Sequence, residues 1–486
     1  MYDIAIIGAG VIGSAVAREL SRYALKTVIL ERGNDVAVGT TKANSAIVHA
    51  GYDAPAASLK GKMNVKGNAM YDDVCKALDV PFKRVGSLVV AHHDEELETL
   101  ESLLENGKLL GVPGLEILSG EAVRAREPNL NRDIKAALFA PTAGIVEPWE
   151  LAIAYCENAM DNGVSLKLNF EVIGIDRKTD GFEIHSKNET VTASTVINAA
   201  GVYADVIYNM VAKSHFEIRP RRGQYYLLDK EANGLVNQVI FPCPSKLGKG
   251  ILVAPTIDGN ILVGPDSQDL TQSDKEATNT TGDRLQYIRE TAAAICDVVP
   301  YKLNITTFAG LRAEPSTGDF IIEESKEVKR FINVAGIKSP GLSSAPAIAE
   351  YVAALYLKGN PETAINPAFN PIRRPRVKFA EMSLEEKQAM IEKDPRYGRI
   401  ICRCEMISEG EIVDAIHRNA GGRTLNGIKR RVRPGAGRCQ GGFCGPRVME
   451  ILTRELSLKM TDIRQESLDS YILTGKTKRG DEDEAI

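Results

Sequence analysis

Four of the eight cysteines fall within 43 residues, as Cys402-x-Cys404 and, after thirty-four residues, Cys439-x4-Cys444. Four thiolates gathered from two loops can ligate a [2Fe–2S] cluster, and they satisfy a tetrahedral zinc ion as well. The neighbouring Gly435, Gly437, Gly441, Gly442 and Gly445 would let backbone N–H groups approach the sulfurs. Cys75, Cys156, Cys243 and Cys296 are scattered. In a reducing compartment such a cluster points to metal or redox chemistry rather than to disulfides. At the other end of the chain stands Gly8-Ala9-Gly10-Val11-Ile12-Gly13, with Glu31 eighteen residues beyond Gly13. The first glycine suits a tight turn, the second a close approach to a pyrophosphate, and the third close helix–strand packing. Glu31 can accept from ribose hydroxyls, which argues against NADP but does not separate NAD from FAD.

The elements that must hold these residues are legible around them. Asp3–Ile7 reads as a buried strand, Val11, Ala15, Val16 and Leu20 recur at helical spacing, and Thr27–Leu30 is a second short strand. Further strands are expected at Gly86–Val90, Val196–Ala199, Val239–Phe241, Ile251–Val253, Ile261–Val263 and Phe331–Val334. Helices are expected near Leu97–Leu109, Pro148–Asn162, Asp283–Ile295 and Ala345–Leu357. Strands and helices do not alternate strictly in the middle, which suggests an α+β insertion within an α/β domain. From Gly359 to Arg376 the chain turns proline-rich and reads as a linker or a surface strap. Ser383 and Glu386 form a capping box for a helix over Leu384–Lys393. The charged end, Lys476–Ile486, is expected to fray.

Composition narrows the class. Sixty Lys+Arg against sixty-four Asp+Glu leave a net charge of −4, so nothing marks a polyanion binder as a whole. A 44% hydrophobic content fits a globular chain rather than a disordered one. There is no uninterrupted apolar run of the ~18 residues a membrane span needs. The opening residues carry no basic region or cleavage site, so a cytoplasmic location is the expectation.

The chain resembles the D-amino-acid-oxidase-like superfamily of FAD-dependent oxidoreductases over about residues 1–370. Besides the glycine turn, three segments carry the likeness: Gly39–Gly51, Val196–Gly201 and Gly336–Leu342. The resemblance implies FAD, held by Gly8, Gly10, Val11, Ile12, Gly13, Glu31, Arg32, Thr40, Thr41, Asn44, Ser45, Val172, Ala200, Gly201, Gly336, Lys338, Ser339, Gly341 and Leu342. Within the superfamily the chain is most similar to FAD-dependent glycerol-3-phosphate dehydrogenases of the anaerobic type. It is also similar to type II glycerol-3-phosphate oxidases and L-2-hydroxyglutarate dehydrogenases. Such enzymes pass hydride from a secondary alcohol carbon to flavin while a base removes the hydroxyl proton, work that suits histidine. His49 lies in the segment the family places near the flavin. His92, His93, His185, His215 and His417 read as ordinary surface residues. Arg312 resembles the family's substrate-binding arginine, and Lys249 a lysine that contacts phosphate, with Lys246 competing for that role. Ser339 would line flavin or substrate, and Arg222-Gly223-Gln224-Tyr225 fits a strand crossing the substrate chamber.

Residues 397–460 resemble the bacterioferritin-associated-ferredoxin-like [2Fe–2S] domain. The closing pair departs from that ferredoxin's CxxC, but the form Gly437–Cys444 is that of domains fused to flavin dehydrogenases. The likeness favours iron–sulfur over zinc, with Cys402, Cys404, Cys439 and Cys444 as ligands. Arg430, Arg431, Arg433 and Arg438 read either as charge balance on a solvated face or as a docking patch for an acidic partner.

The expected fold is therefore α/β: a Rossmann-like FAD-binding domain with an α+β substrate domain inserted, then a small, mainly helical [2Fe–2S] domain. FAD-binding parts are expected at about 1–85, 145–215 and 325–365 of an oxidoreductase spanning 1–375, followed by a linker and helix at 376–396. The [2Fe–2S] domain would cover 397–460 and a tail 461–486. The expected reaction is sn-glycerol 3-phosphate to dihydroxyacetone phosphate, with electrons leaving through the cluster to a protein acceptor. By analogy with fused relatives, that acceptor is a second flavoprotein or a quinone-reducing subunit on the inner face of the membrane. The rival readings are a 2-hydroxy-acid dehydrogenase and an electron-transfer subunit with no small substrate of its own.

Overall fold

The computed structural model describes residues 1–244 and 250–475. The chain divides into two units, one made of Met1–Arg32 and Val36–Arg374, the other of Gly33–Asp35 and the chain from Pro375 onward.

In the first unit the opening strand, Tyr2–Ile7, takes the centre of a largely parallel sheet. Thr27–Leu30 pairs with it on one side and Thr190–Asn198 on the other, both parallel. Phe331–Ala335 joins Thr190–Asn198, and Ser165–Lys167 joins Thr27–Leu30. Ile4, Ala5 and Ile6 are fully buried, as befits a parallel strand covered on both faces. Helices Val11–Leu20, Pro148–Asp161 and Gly341–Gly359 pack together beside this sheet. Each matches a run of helical periodicity in the sequence.

One long helix leaves no such trace. Leu59–Leu78 buries Gly61, Asn64, Gly67 and Asn68 together with Met63, Tyr71, Cys75 and Leu78. A face built from glycine and asparagine carries little apolar periodicity, yet it lets the helix lie close against Gly341–Gly359.

The inserted α+β part is a mixed sheet. Ile218–Leu228 and Asn304–Pro315 run antiparallel along their whole length, from Ile218 opposite Pro315 to Leu228 opposite Asn304. Ile261–Gly264, Leu252–Pro255, Val239–Pro242, Ser87–Ala91 and Ala136–Ala140 extend the sheet in that order. The proline-rich segment lies as a strap: the Ala24 N–H donates to Ala364, Asn366 to Arg22, and Arg373 to Ala77. Arg373, 2% exposed, grips Glu157 at 2.8 Å.

The second unit is mainly helical: Leu384–Lys393, Glu409–His417, Leu425–Val432 and Gly445–Leu456, with a small hairpin of Ile400–Cys402 and Ile407–Ser408. Ser383/Glu386 and Ser408/Glu411 both close capping boxes. The core gathers Ile412, Ile416, Ile428, Leu452 and Ile463. Ile463 lies in the stretch read as tail; it is fully buried, and Arg464 accepts from the Leu425 N–H. Residues 476–486, expected to fray, lie outside the described residues.

Two surface readings are corrected. Arg430 and Arg431 are buried, not a solvated face or a docking patch. Arg431 binds Asp35 at 2.7 Å, and Arg430 binds Asp35 at 2.9 Å and Glu466 at 2.5 Å. Helix Leu425–Val432 turns its apolar stripe and these two guanidinium groups inward together, which burial allows because the carboxylates neutralise them. His92 is half-buried beside Asp133, because it follows directly on the core strand Ser87–Ala91.

Candidate functional site

A cavity of about 600 Å³ runs through the first unit. One end is built by the glycine turn. Gly8 holds a left-handed backbone (φ +105°), and a Cβ there would meet the Ala199 carbonyl at 2.6 Å. The buried Glu31 carboxylate accepts the Ala9 N–H at 2.8 Å, and Thr41 Oγ accepts the Val11 N–H at 3.0 Å. Helix Val11–Leu20 thus points its positive end at the cavity, as pyrophosphate binding requires. Arg32 stacks on the Tyr203 ring at 4.3 Å and binds Glu276 at 2.7 Å.

Gly8, Gly10, Val11, Ile12, Glu31, Arg32, Thr40, Thr41, Asn44, Ser45, Val172, Ala200, Gly201, Lys338, Ser339, Gly341 and Leu342 all line this cavity. Two glycines expected among them do not. A Cβ on Gly13 would strike the Gly8 carbonyl at 2.0 Å, so this glycine serves turn packing. Gly336 abuts Pro315 instead. Asn44 and Thr40 spend their side chains on the loop: Asn44 donates to Thr41 and accepts from Ala46, and Thr40 donates to Leu311. Lys338 is paired with Glu314 at 2.6 Å.

Further along the cavity, His49 and Ser339 meet, with His49 Nε2 3.2 Å from the serine hydroxyl. The histidine backbone is fixed on both sides. Its N–H donates to Ser343 at 2.7 Å, and its carbonyl accepts from Asn68 at 3.0 Å. Asn68 lies on the helix that sequence periodicity missed. Phe241 flanks the imidazole at 5.8 Å between centroids.

Arg312 also lines the cavity, half-buried, and donates to two carbonyl oxygens, Asp266 at 3.1 Å and Arg222 at 3.5 Å. Neutral acceptors orient a guanidinium without cancelling its charge, which suits it to hold an anion. Room for it comes from Gly223, where a Cβ would lie 2.6 Å from Arg312 Nη2. The strand's two-residue period sorts its neighbours. Arg222 and Gln224 face the loop after Gly264, binding Gln268, Asn279 and Thr281. Tyr225 faces the cavity, stacked on Phe308 at 4.7 Å, with its hydroxyl 3.2 Å from Ser45 Oγ. Of the strand Arg222–Tyr225 expected to cross the substrate chamber, Tyr225 is the residue that lines the cavity, on the same strand face as Gly223. Lys249 and its competitor Lys246 lie outside the described residues.

In the second unit the cysteines form two pairs. Cys404 and Cys439 bring their sulfurs to 4.0 Å, and the Cys444 thiol hydrogen-bonds Cys402. Cys402 and Cys444 are buried, Cys439 half-buried and Cys404 exposed, so one pair is inner and one outer. The Cys444 hydrogen bond, then backbone N–H groups of Gly435, Glu405 and Cys404, pull the Cys402 thiol down to about 6. The Phe443 N–H, then that of Gly441, lowers Cys439. These N–H groups are the approach to sulfur that the glycines predict.

A single zinc would draw four sulfurs into one tetrahedron with bonds of about 2.3 Å. Among the described residues, the trio of candidate ligands within 4.8 Å is Asp176, Glu183 and His185, one exposed and two half-buried, whose carboxylates Lys178 already contacts. The cysteines, gathered two by two, fit a two-iron centre in which each iron takes two thiolates.

The fold and cavity define a flavin oxidoreductase carrying an iron–sulfur module, and the comparisons agree. The chain belongs to the FAD-dependent oxidoreductase family, whose pattern spans residues 3–355, and a BFD-like [2Fe-2S] binding domain matches residues 400–454. FAD and a [2Fe–2S] cluster are its cofactors, and the residues at both sites fit them. More particularly, the chain is similar to the glycerol 3-phosphate dehydrogenase of Caloramator mitchellensis, at 56% identity covering 98% of this chain and 99% of that one. The FAD-bound L-alpha-glycerophosphate oxidase of Mycoplasma pneumoniae is 32% identical, with a TM-score of 0.73 covering 77% of this chain and 99% of that one. Human mitochondrial L-2-hydroxyglutarate dehydrogenase is 33% identical over 55% of this chain and 61% of its own. Among the described residues no helix is long and apolar enough to cross a membrane.

Proposed function

We propose that the chain oxidises the secondary hydroxyl of sn-glycerol 3-phosphate, giving dihydroxyacetone phosphate, and passes the electrons through its cysteine module to a partner protein. The observation that carries the site assignment is the placement of His49–Ser339 and Arg312 on one cavity, the arginine held by carbonyl oxygens and the neutral Tyr225 hydroxyl. Bound FAD supplies the hydride acceptor. Arg312 holds the phosphate, which fixes the distance from anion to carbinol carbon. His49 Nε2 takes the hydroxyl proton, and Ser339 fixes the imidazole's direction. Tyr225 and Phe241 wall the reacting carbon from water.

Identity and coverage favour the phosphorylated alcohol over 2-hydroxyglutarate, since the dehydrogenase relative is 56% identical along 98% of this chain, whereas hydroxyglutarate relatives are 33% identical over 55% of it and 28% over 73%. The test is anaerobic stopped-flow of the holoprotein with each substrate. Flavin bleaching by glycerol 3-phosphate but not L-2-hydroxyglutarate is expected. The opposite order would reject the assignment, and bleaching by neither would favour a pure electron-transfer role.

A further inference from the structure

Phe443, one residue before a cluster ligand, is 88% exposed, the highest value for a large apolar side chain among the described residues. Its backbone N–H faces the Cys439 sulfur, and Met406, two residues past Cys404, is 49% exposed. Both flank the outer cysteine pair, the route by which an electron meets solvent soonest. A phenylalanine ring left in water forgoes the free energy of its burial. Charge balance on the cluster cannot account for it, because the ring has no charge.

Among the described residues the polar rim is mainly basic. In segments 403–406 and 437–447, Arg403, Arg438 and Arg447 are exposed. The one acid there, Glu405, is turned inward onto Arg433 at 3.0 Å with its side chain 4% exposed. Glu450, just outside, holds Arg447 at 2.8 Å. This positive rim stands out on a chain whose net charge is −4. An aromatic anchor inside a basic ring matches a partner with an acidic rim around an apolar centre.

We infer that Phe443 and Met406, ringed by Arg403, Arg438 and Arg447, form the docking face for an acidic redox protein that takes electrons singly. The inference rests on the proposed electron exit through the cysteine module. Oxidation of one alcohol releases two electrons and two protons. The partner's one-electron acceptor is reduced once per encounter, two encounters clear the pair, and the protons pass to solvent.

The test uses the full-length holoprotein reduced beforehand with dithionite, so that it does not depend on the alcohol substrate. Oxidised flavodoxin, a small acidic protein with one FMN, is the probe, and phenazine methosulfate is the small-acceptor control. Wild type, Phe443→Ser and the Arg403→Glu/Arg438→Glu double variant are compared. Flavodoxin reduction is expected to fall at least tenfold in both variants, with the salt dependence lost in the charge variant. Phenazine reduction and the cluster's electron paramagnetic resonance spectrum should stay as in wild type.

Unchanged flavodoxin rates and binding isotherms would overturn the docking face. So would Phe443-dependent binding to phosphatidylglycerol vesicles without flavodoxin binding, which would make it a membrane contact. Failure of glycerol 3-phosphate to bleach the flavin, with docking intact, would instead strike the proposed substrate.

Discussion

Arginines in the two units meet opposite fates. In the cavity, Arg312 is oriented by the carbonyls of Asp266 and Arg222 and keeps its charge available. In the cysteine module, Arg430 and Arg431 converge on Asp35 and are closed off from water. The partner, not the residue type, separates a ligand-binding cation from a structural one. A carbonyl positions the guanidinium, whereas a carboxylate both positions and neutralises it. Asp35 shows the second case from the other side: burial would raise its carboxyl, yet Arg431 and then Arg430 hold it below the ordinary value of 3.8.

The contrast can be broken first at the reacting end of the cavity. His49→Ala should slow anaerobic flavin bleaching by about 10²–10⁴-fold, the usual worth of a general base. A loss under threefold in stopped-flow would remove His49 from proton transfer.

Removing the carboxylate from the buried network comes next. Asp35→Ala should destabilise the cysteine module by about 3–5 kcal/mol, because two guanidinium groups stay buried with one counter-ion fewer. Denaturant titration followed by cluster absorbance reads this directly, and a shift below 1 kcal/mol would show the network to be incidental.

Arg312→Lys keeps the charge and loses the planar fork. It should raise KM for glycerol 3-phosphate about tenfold, near 1.4 kcal/mol, with kcat changed less. An unchanged KM would place the phosphate elsewhere.

A smaller effect separates the two arginine sites by pH. The Asp35 carboxyl is lowered in the folded protein, so its contribution is fully present above the ordinary value and lost as pH falls through the folded value. Module stability should therefore hold from pH 7 to about 5 and decline below about 4. Asp35→Asn should flatten that decline, and an identical decline in the variant would assign it to other carboxylates. Ser339→Ala should be mildest: a few-fold slower bleaching from a less well-oriented imidazole.

Much of this was legible because the signals are local. The turn Gly8–Gly13, the strands Tyr2–Ile7 and Thr27–Leu30, the capping box at Ser383 and the two cysteine loops each write their requirement within a few adjacent residues. What stayed hidden depended on distant segments. Helix Leu59–Leu78 packs through glycine and asparagine, so its burial has no apolar period to betray it. Gly336 looks like a cofactor contact in sequence, but the backbone turns it onto Pro315, whereas Gly13 packs helix on strand as its place in the turn implies.

By itself, the order of residues determined the chemistry on offer: a dinucleotide turn, a histidine, a cation for an anion, and four thiolates. Tertiary structure alone decided which groups are free to use it. It set Asp35 against Arg431, 396 residues away in the chain, and left Arg312 on the cavity wall. It also split the cysteines into an inner and an outer pair. Spacing specifies which groups a short loop can gather, but a charge is spent or kept according to what the rest of the fold places beside it.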